Sequence, residues 1–167
     1  MSKVKEVVEK KEKNQKPPIR AIFNAIERFI GNFMHMSNEQ IDCVNLWVIH
    51  TYIIPYLKRT PYLWINSPEP ASGKSTLLEI IDYLVEIPQY ASTFTASGVA
   101  RKLNKEEKTT LLLDEMDNKV GDDGDKLTSI LNGGNYRKHA VYLLSKNDSS
   151  ADFIELKTFG AKAIAGI

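Results

Sequence analysis

Residues 67–76 read Ser67-Pro68-Glu69-Pro70-Ala71-Ser72-Gly73-Lys74-Ser75-Thr76. The apolar run Tyr62-Leu63-Trp64-Ile65-Asn66 precedes them, and Leu77, Leu78, Ile80, Ile81, Leu84 and Val85 follow at helical spacing. The first run suits a strand buried on both faces, the second a helix of about three turns. A loop joining such a strand to a helix start gathers backbone N–H groups, here from Ala71 to Thr76, at the positive end of the helix. That is an anion site. Gly73 has no Cβ to hold a phosphate away. The stretch matches G-x-x-x-x-G-K-[ST] except that Pro68 holds the first glycine position. Proline lacks an N–H, but the main donors lie later in the loop, so a variant loop with a working site is expected. In that pattern Lys74 bridges the β- and γ-phosphates and Ser75 ligates Mg²⁺. The competing reading is a chance Gly-Lys-Ser-Thr at a helix start.

Downstream, Leu111-Leu112-Leu113-Asp114-Glu115 ends an apolar run with two carboxylates, Asp114 lying 40 residues after Lys74. Sheets of α/β proteins bind ligands at the carboxyl ends of their strands. There Asp114 is expected to hold Mg²⁺, usually through water, and Glu115 to orient and deprotonate an attacking water. The adjacent pair favours ATP hydrolysis over transfer to a small molecule, which needs no water-activating base. Taken alone, the pair also reads as a solvated helix start, where acids suit the dipole. Asp117, Asp122, Asp123 and Asp125 miss the spacing and closing Glu of a calcium loop, so an acidic surface loop is expected. No Asn-Lys-x-Asp guanine-reading motif is seen, so ATP is expected ahead of GTP.

Strand and helix patterns alternate from residue 62 onward. Residues 90–95 and 109–113 are expected strands, 98–103 and 126–131 short helices, and 132–135 a turn. Residues 140–144 and 153–159 read as a hairpin around Asn147-Asp148-Ser149-Ser150. Residues 161–167 form a last apolar strand that suits a sheet interior; with nothing after it, the chain reads as the front part of something longer. This alternation predicts an α/β fold, a P-loop NTPase core with a mostly parallel sheet flanked by helices, over residues 61–167 and incomplete. An N-terminal helical extension is expected over residues 19–60. Its first helix carries Ile22, Ile26, Phe29 and Ile30; its second starts at Ser37 with Gln40 in capping-box register and runs to Pro55. His50, within that second helix, is expected to be a hydrogen-bonded core histidine rather than a metal ligand.

Residues 1–18 form a flexible basic arm, the first 20 residues holding seven basic side chains against three acidic ones. It is either a solvated tail or a DNA-contacting arm. Over all 167 residues the net charge is only +1, so nucleic-acid binding needs a local patch. Arg101, Lys102, Arg137, Lys138 and His139 are the candidates, for DNA backbone or a neighbouring subunit's nucleotide; ordinary surface charge is the competing reading. A hydrophobic fraction of 43% excludes wholesale disorder. Cys43 is the single cysteine, which excludes an internal disulfide. The N-terminus lacks an apolar leader, and the longest apolar stretch, 43–56, falls short of the roughly 20 residues that span a bilayer. A soluble cytoplasmic protein without membrane partners is expected.

Several blocks together resemble an ATPase-like domain of unknown function found in bacterial, phage and mobile-element proteins, often attached to primase or helicase-like regions. They are Leu46-Trp47-Val48-Ile49-His50-Thr51, Ser67-Pro68-Glu69, Gly73-Lys74 with Leu77-Leu78-Glu79, and Leu113-Asp114-Glu115. Leu131-Asn132 with Gly134 and Arg137, and Phe159-Gly160-Ala161-Lys162-Ala163-Ile164-Ala165-Gly166, complete the set over residues 40–167. The resemblance also accounts for Ser67-Pro68-Glu69 in place of the first glycine. It implies an AAA+ or helicase-like ATPase that handles DNA during replication of such an element, working as a homo-oligomer. That family continues past the last strand with a further Arg-containing segment, which implies slow turnover for the chain as it stands. A nucleotide-binding assembly module without significant hydrolysis is the alternative from another class, and a small-molecule phosphotransferase the third.

Overall fold

Two helices lead the chain. α1 (Ile19–Gly31) buries Ile26 and Ile30 on one face. α2 (Asn38–Tyr52) opens with the expected capping box: the Ser37 N–H donates to Gln40 Oε1 at 3.0 Å, and the Gln40 N–H to Ser37 Oγ at 3.3 Å. Each such cap satisfies helix N–H groups that otherwise lack acceptors. The helix stops at Tyr52, earlier than the expected Pro55, and Ile54–Tyr56 form a separate 3-10 turn. Proline sits readily in the first turn of a new helix, where its missing N–H is not needed. His50 is half-buried and its Nε2 lies 3.1 Å from the Thr60 hydroxyl, as a hydrogen-bonded histidine should.

The computed structural model of the chain describes residues 16–69, 71–91, 95–115, 122–144 and 153–166. After the two helices come β1 (Leu63–Asn66), α3 (Lys74–Leu84), β2 (Ile87–Ala91), α4 (Ala96–Lys105) and β3 (Thr109–Leu113). Then follow α5 (Asp122–Gly133), β4 (Ala140–Leu144), β5 (Phe153–Lys157) and β6 (Lys162–Gly166). Most of the arm at residues 1–18, and the hairpin tip 147–150, lie outside the described residues.

β1, β6, β3 and β2 form one sheet in that order, and every neighbouring pair is parallel. The last strand therefore enters the middle. Ala163 pairs with Leu63 on one side and Leu112 on the other. β4 and β5 pair antiparallel as a hairpin of their own, from Ala140↔Lys157 to Leu144↔Phe153. The fold is α/β with a parallel four-stranded sheet flanked by helices. Among the described residues, no helix is long and apolar enough to cross a membrane.

Two core layers cover the sheet, and strand alternation assigns residues to them. Leu112, Ala163 and Ala165 join α1, α2 and α3 through Ile30, Val48, Leu78 and Ile81. Leu111, Leu113 and Ile164 face the other way, onto Val99, Leu103, Leu127, Ile130 and Leu156. Leu112 and Leu113 have no measurable exposure, and each such side chain contributes about 1.5–3 kcal/mol by leaving water. Small Ala163 and Ala165 let α3 approach β6 closely.

One expected strand is misplaced. The strand expected at 90–95 lies at Ile87–Ala91, with Ile87 opposite Thr109 and Ala91 opposite Leu113. Pro88 lies inside this strand, and central strands exclude proline. β2 is the sheet edge, however, and an edge strand accommodates a proline on its open side. The expected helices at 98–103 and 126–131 each extend outward, to Ala96–Lys105 and Asp122–Gly133. Thr95 accounts for the earlier start of α4, because its hydroxyl accepts from the Gly98 N–H at 3.2 Å.

Candidate functional site

Because all four strands run parallel, β1, β6 and β3 end on the same side of the sheet. The loop at 67–76 leaves β1 there, and Asp114 and Glu115 leave β3 there. One strand separates them, so the two segments face each other across two strand spacings, about 10 Å. A crevice of that kind outside the carboxyl ends of strands is where α/β sheets receive ligands.

Gly73 begins α3 in the left-handed region at φ 87°, a conformation that favours glycine. No side chain caps this helix start. The N–H groups of its first turn are thus left for an acceptor outside the helix. Lys74 folds back across the loop, and its Nζ donates to the carbonyls of Ser67 and Glu69, each at 3.4 Å. These are long, weak bonds that a better acceptor displaces. Ala71, Ser72, Ser75 and Thr76 are exposed, and Gly73 and Lys74 partly so.

Asp114 is 9% exposed and is held from several sides. The Tyr90 hydroxyl donates to its Oδ2 at 2.6 Å, and the Glu115 N–H to its Oδ1 at 3.0 Å. Burial pushes this carboxyl up. Hydrogen bonds from Tyr90, Ser75 and the Glu115 backbone, with the charge of Lys74, outweigh burial and hold it below the usual carboxylate range. Lys74, Ser75 and Asp114 are therefore brought to one place, although 40 residues separate the first from the last.

Glu115 is exposed and has φ 53°. Ala71 has φ 56°, and these are the two non-glycine residues with positive φ among the described residues. A left-handed conformation costs an L-residue about 1–2 kcal/mol, and such strain tends to collect at functional sites. Here one strained residue lies in the loop and the other beside Asp114.

Sequence reasoning missed Tyr90. The only signal for it was an aromatic residue with a hydroxyl near the end of a strand, which many core tyrosines share. Among the basic candidates, Arg137 is not a free surface charge. Its Nε donates to the Leu57 carbonyl and its Nη2 to the Ile54 carbonyl, both at 2.7 Å. Its Nη1 pairs with Glu107, and the guanidinium lies 4.5 Å from the Phe159 ring centroid. Arg137 clasps the 3-10 turn to the segment after α5 and is spent within the chain. Arg101, Lys138 and His139 remain exposed, His139 with its ring edge-on to Tyr136 at 4.8 Å, while Lys102 is half-buried. Among the described residues, no three His, Cys, Asp or Glu side chains gather as a metal cluster. Compared with protein-family models and with curated proteins, the chain matches none.

Proposed function

We propose that this chain is a P-loop NTPase core that binds Mg-ATP and hydrolyses it. The observation that carries the reading is the convergence of Lys74, Ser75 and Asp114 at an uncapped helix start. Ala71 to Thr76 would hold the β- and γ-phosphates, their backbone N–H groups donating to phosphate oxygens. Lys74 would exchange its two weak carbonyl contacts for charge-assisted bonds to phosphate oxygen.

The donor set fits Mg²⁺. The Ser75 hydroxyl and the Asp114 carboxylate are hard oxygen groups set together, and they would hold Mg²⁺, Asp114 through water. Asp114 is held ionised, as a cation ligand must be. When bound, Mg²⁺ neutralises charge that develops on the phosphates. Glu115, across the crevice, accepts a proton from the attacking water. Coupling to DNA, assembly into a homo-oligomer and a cytoplasmic setting are parts of this proposal that rest on the family resemblance. Exposed Arg101 and Lys138 remain available to a phosphate backbone. Phosphate release measured with and without single-stranded DNA tests that coupling.

Lys74→Ala tests the site itself. A charge-assisted bond contributes about 1.5–3 kcal/mol, so Mg-ATP affinity should fall by up to about a hundredfold while the thermal unfolding midpoint stays put. Lys74 is exposed enough that its loss opens no core cavity. Unchanged affinity by calorimetry would sink the assignment.

A further inference from the structure

We infer that Tyr90 is the positioning residue that sets the metal affinity of Asp114, an inference that rests on the nucleotide reading above. Asp114 has two oxygens, and each has a dedicated donor: Tyr90 Oη at 2.6 Å from Oδ2 and the Glu115 N–H at 3.0 Å from Oδ1. With both oxygens engaged, the carboxylate cannot turn about its terminal bond. Its remaining lone pairs are left for Ser75 and for a metal-bound water.

Tyr90 is suited to this work by being neutral. A lysine or arginine at the same place would fix the carboxylate and also cancel the charge that attracts a cation. The hydroxyl fixes it and leaves the charge. A phenol keeps its proton at neutral pH, so the hydroxyl 2.6 Å from Oδ2 is a donor. The backbone supports the same geometry. Tyr90 stands opposite Leu112 in the β2–β3 ladder, and the Asp114 N–H donates to the Ala91 carbonyl at 3.1 Å. That bond carries the pairing of the two strands to the carboxylate itself. The Tyr90 ring packs against the core layer beneath α3, so both ends of the residue are fixed.

Donors that orient a metal-binding group typically change metal affinity by about 10–100-fold. The test is nucleotide-dependent metal binding, read by Mn²⁺ electron paramagnetic resonance and by Mg²⁺ titration of fluorescent-ATP binding. Tyr90→Phe keeps the ring and its packing and removes only the hydroxyl. It should bind metal-free ATP as the parent does, yet need about tenfold more Mg²⁺ or Mn²⁺ for half-saturation. The same change made on Asp114→Asn should add no further loss, because the carboxylate it positions is gone. A merely structural tyrosine would add its loss in both backgrounds. Equal metal half-saturation in parent and Tyr90→Phe, or an additive loss on Asp114→Asn, overturns the role of Tyr90 alone. A parent chain without nucleotide-dependent Mn²⁺ binding overturns the nucleotide reading and this inference together, and is seen before any variant is made.

Discussion

Glu115→Gln should leave Mg-ATP bound and slow its hydrolysis by about 10²–10⁴-fold, or roughly 2.7–5.5 kcal/mol in the barrier. Glutamine keeps the length and a carbonyl oxygen to orient water, but it cannot accept the proton. The binding groups Lys74, Ser75 and Asp114 are on other residues and remain as they are. Glu115's backbone N–H still reaches Asp114 Oδ1, since that bond involves no side-chain atom of Glu115. Single-turnover hydrolysis of labelled ATP, with calorimetry for binding, separates the two quantities. Lost turnover with retained affinity identifies the base. Hydrolysis at the parent rate would make Glu115 a surface acid, and the strain at φ 53° would then need another explanation. A chain that binds ATP with no turnover before or after the change would favour the assembly-module alternative.

The parts of this site that were legible in sequence are those written in local pattern. Gly73, Lys74 and Ser75 sit at a strand-to-helix junction that hydrophobic periodicity reveals, and Asp114 ends a run whose apolar character marks a buried strand. What pattern cannot supply is pairing at a distance. Tyr90 meets Asp114 because β2 and β3 share a register, and the strand expected at 90–95 begins three residues earlier, at Ile87. Pro88, which a central strand would exclude, fits in β2 because that strand is the sheet edge, and edge position is a tertiary fact. Arg137 was legible as a charge but not as a clasp, since its carbonyl partners lie 80 and 83 residues away. The last strand was expected to enter the sheet interior beside the loop strand or the Asp114 strand. It pairs with both.

Lys162→Ala should remove a large part of the chain's stability, because that lysine anchors the strand on which the site depends. Lys162 has no measurable exposure, and burial pushes its pKa down to about 7. No carboxylate compensates it among the contacts described. Its Nζ donates instead to the carbonyls of Thr158 and Gly160 at 3.0 Å and of Gly134 at 3.4 Å, and it lies 4.8 Å from the Tyr62 ring centroid. Gly134 must be glycine here: a Cβ would come within 2.6 Å of the Thr158 carbonyl oxygen and 2.7 Å of Nζ. Alanine at 162 leaves the Thr158 and Gly160 carbonyls without this donor, at about 1–3 kcal/mol each, while Gly134 keeps the Gly160 N–H, and it opens a cavity where the stem lay. The total, about 4 kcal/mol or more, approaches the 5–15 kcal/mol that holds a whole domain together. β6 would loosen from both β1 and β3, and the loop and Asp114 would lose the spacer that sets their separation. The lysine also sets a pH dependence. The unfolded side chain holds its proton up to about 10.5, whereas the folded one releases it near 7, so the unfolded state binds more protons between those values. Stability should therefore rise from pH 7 toward pH 10, by at most about 1.4 kcal/mol per unit. His50 is lowered from 6.5 by burial and acts below this window, and Tyr62 and Tyr90, both raised from 10, act above it. Urea unfolding of the parent and of Lys162→Met across that range checks the assignment, since methionine fills the space without a titrating group and should flatten the rise. A parent whose stability does not increase with pH, or a Met variant that keeps the increase, would show that Lys162 stays charged within its carbonyl cage.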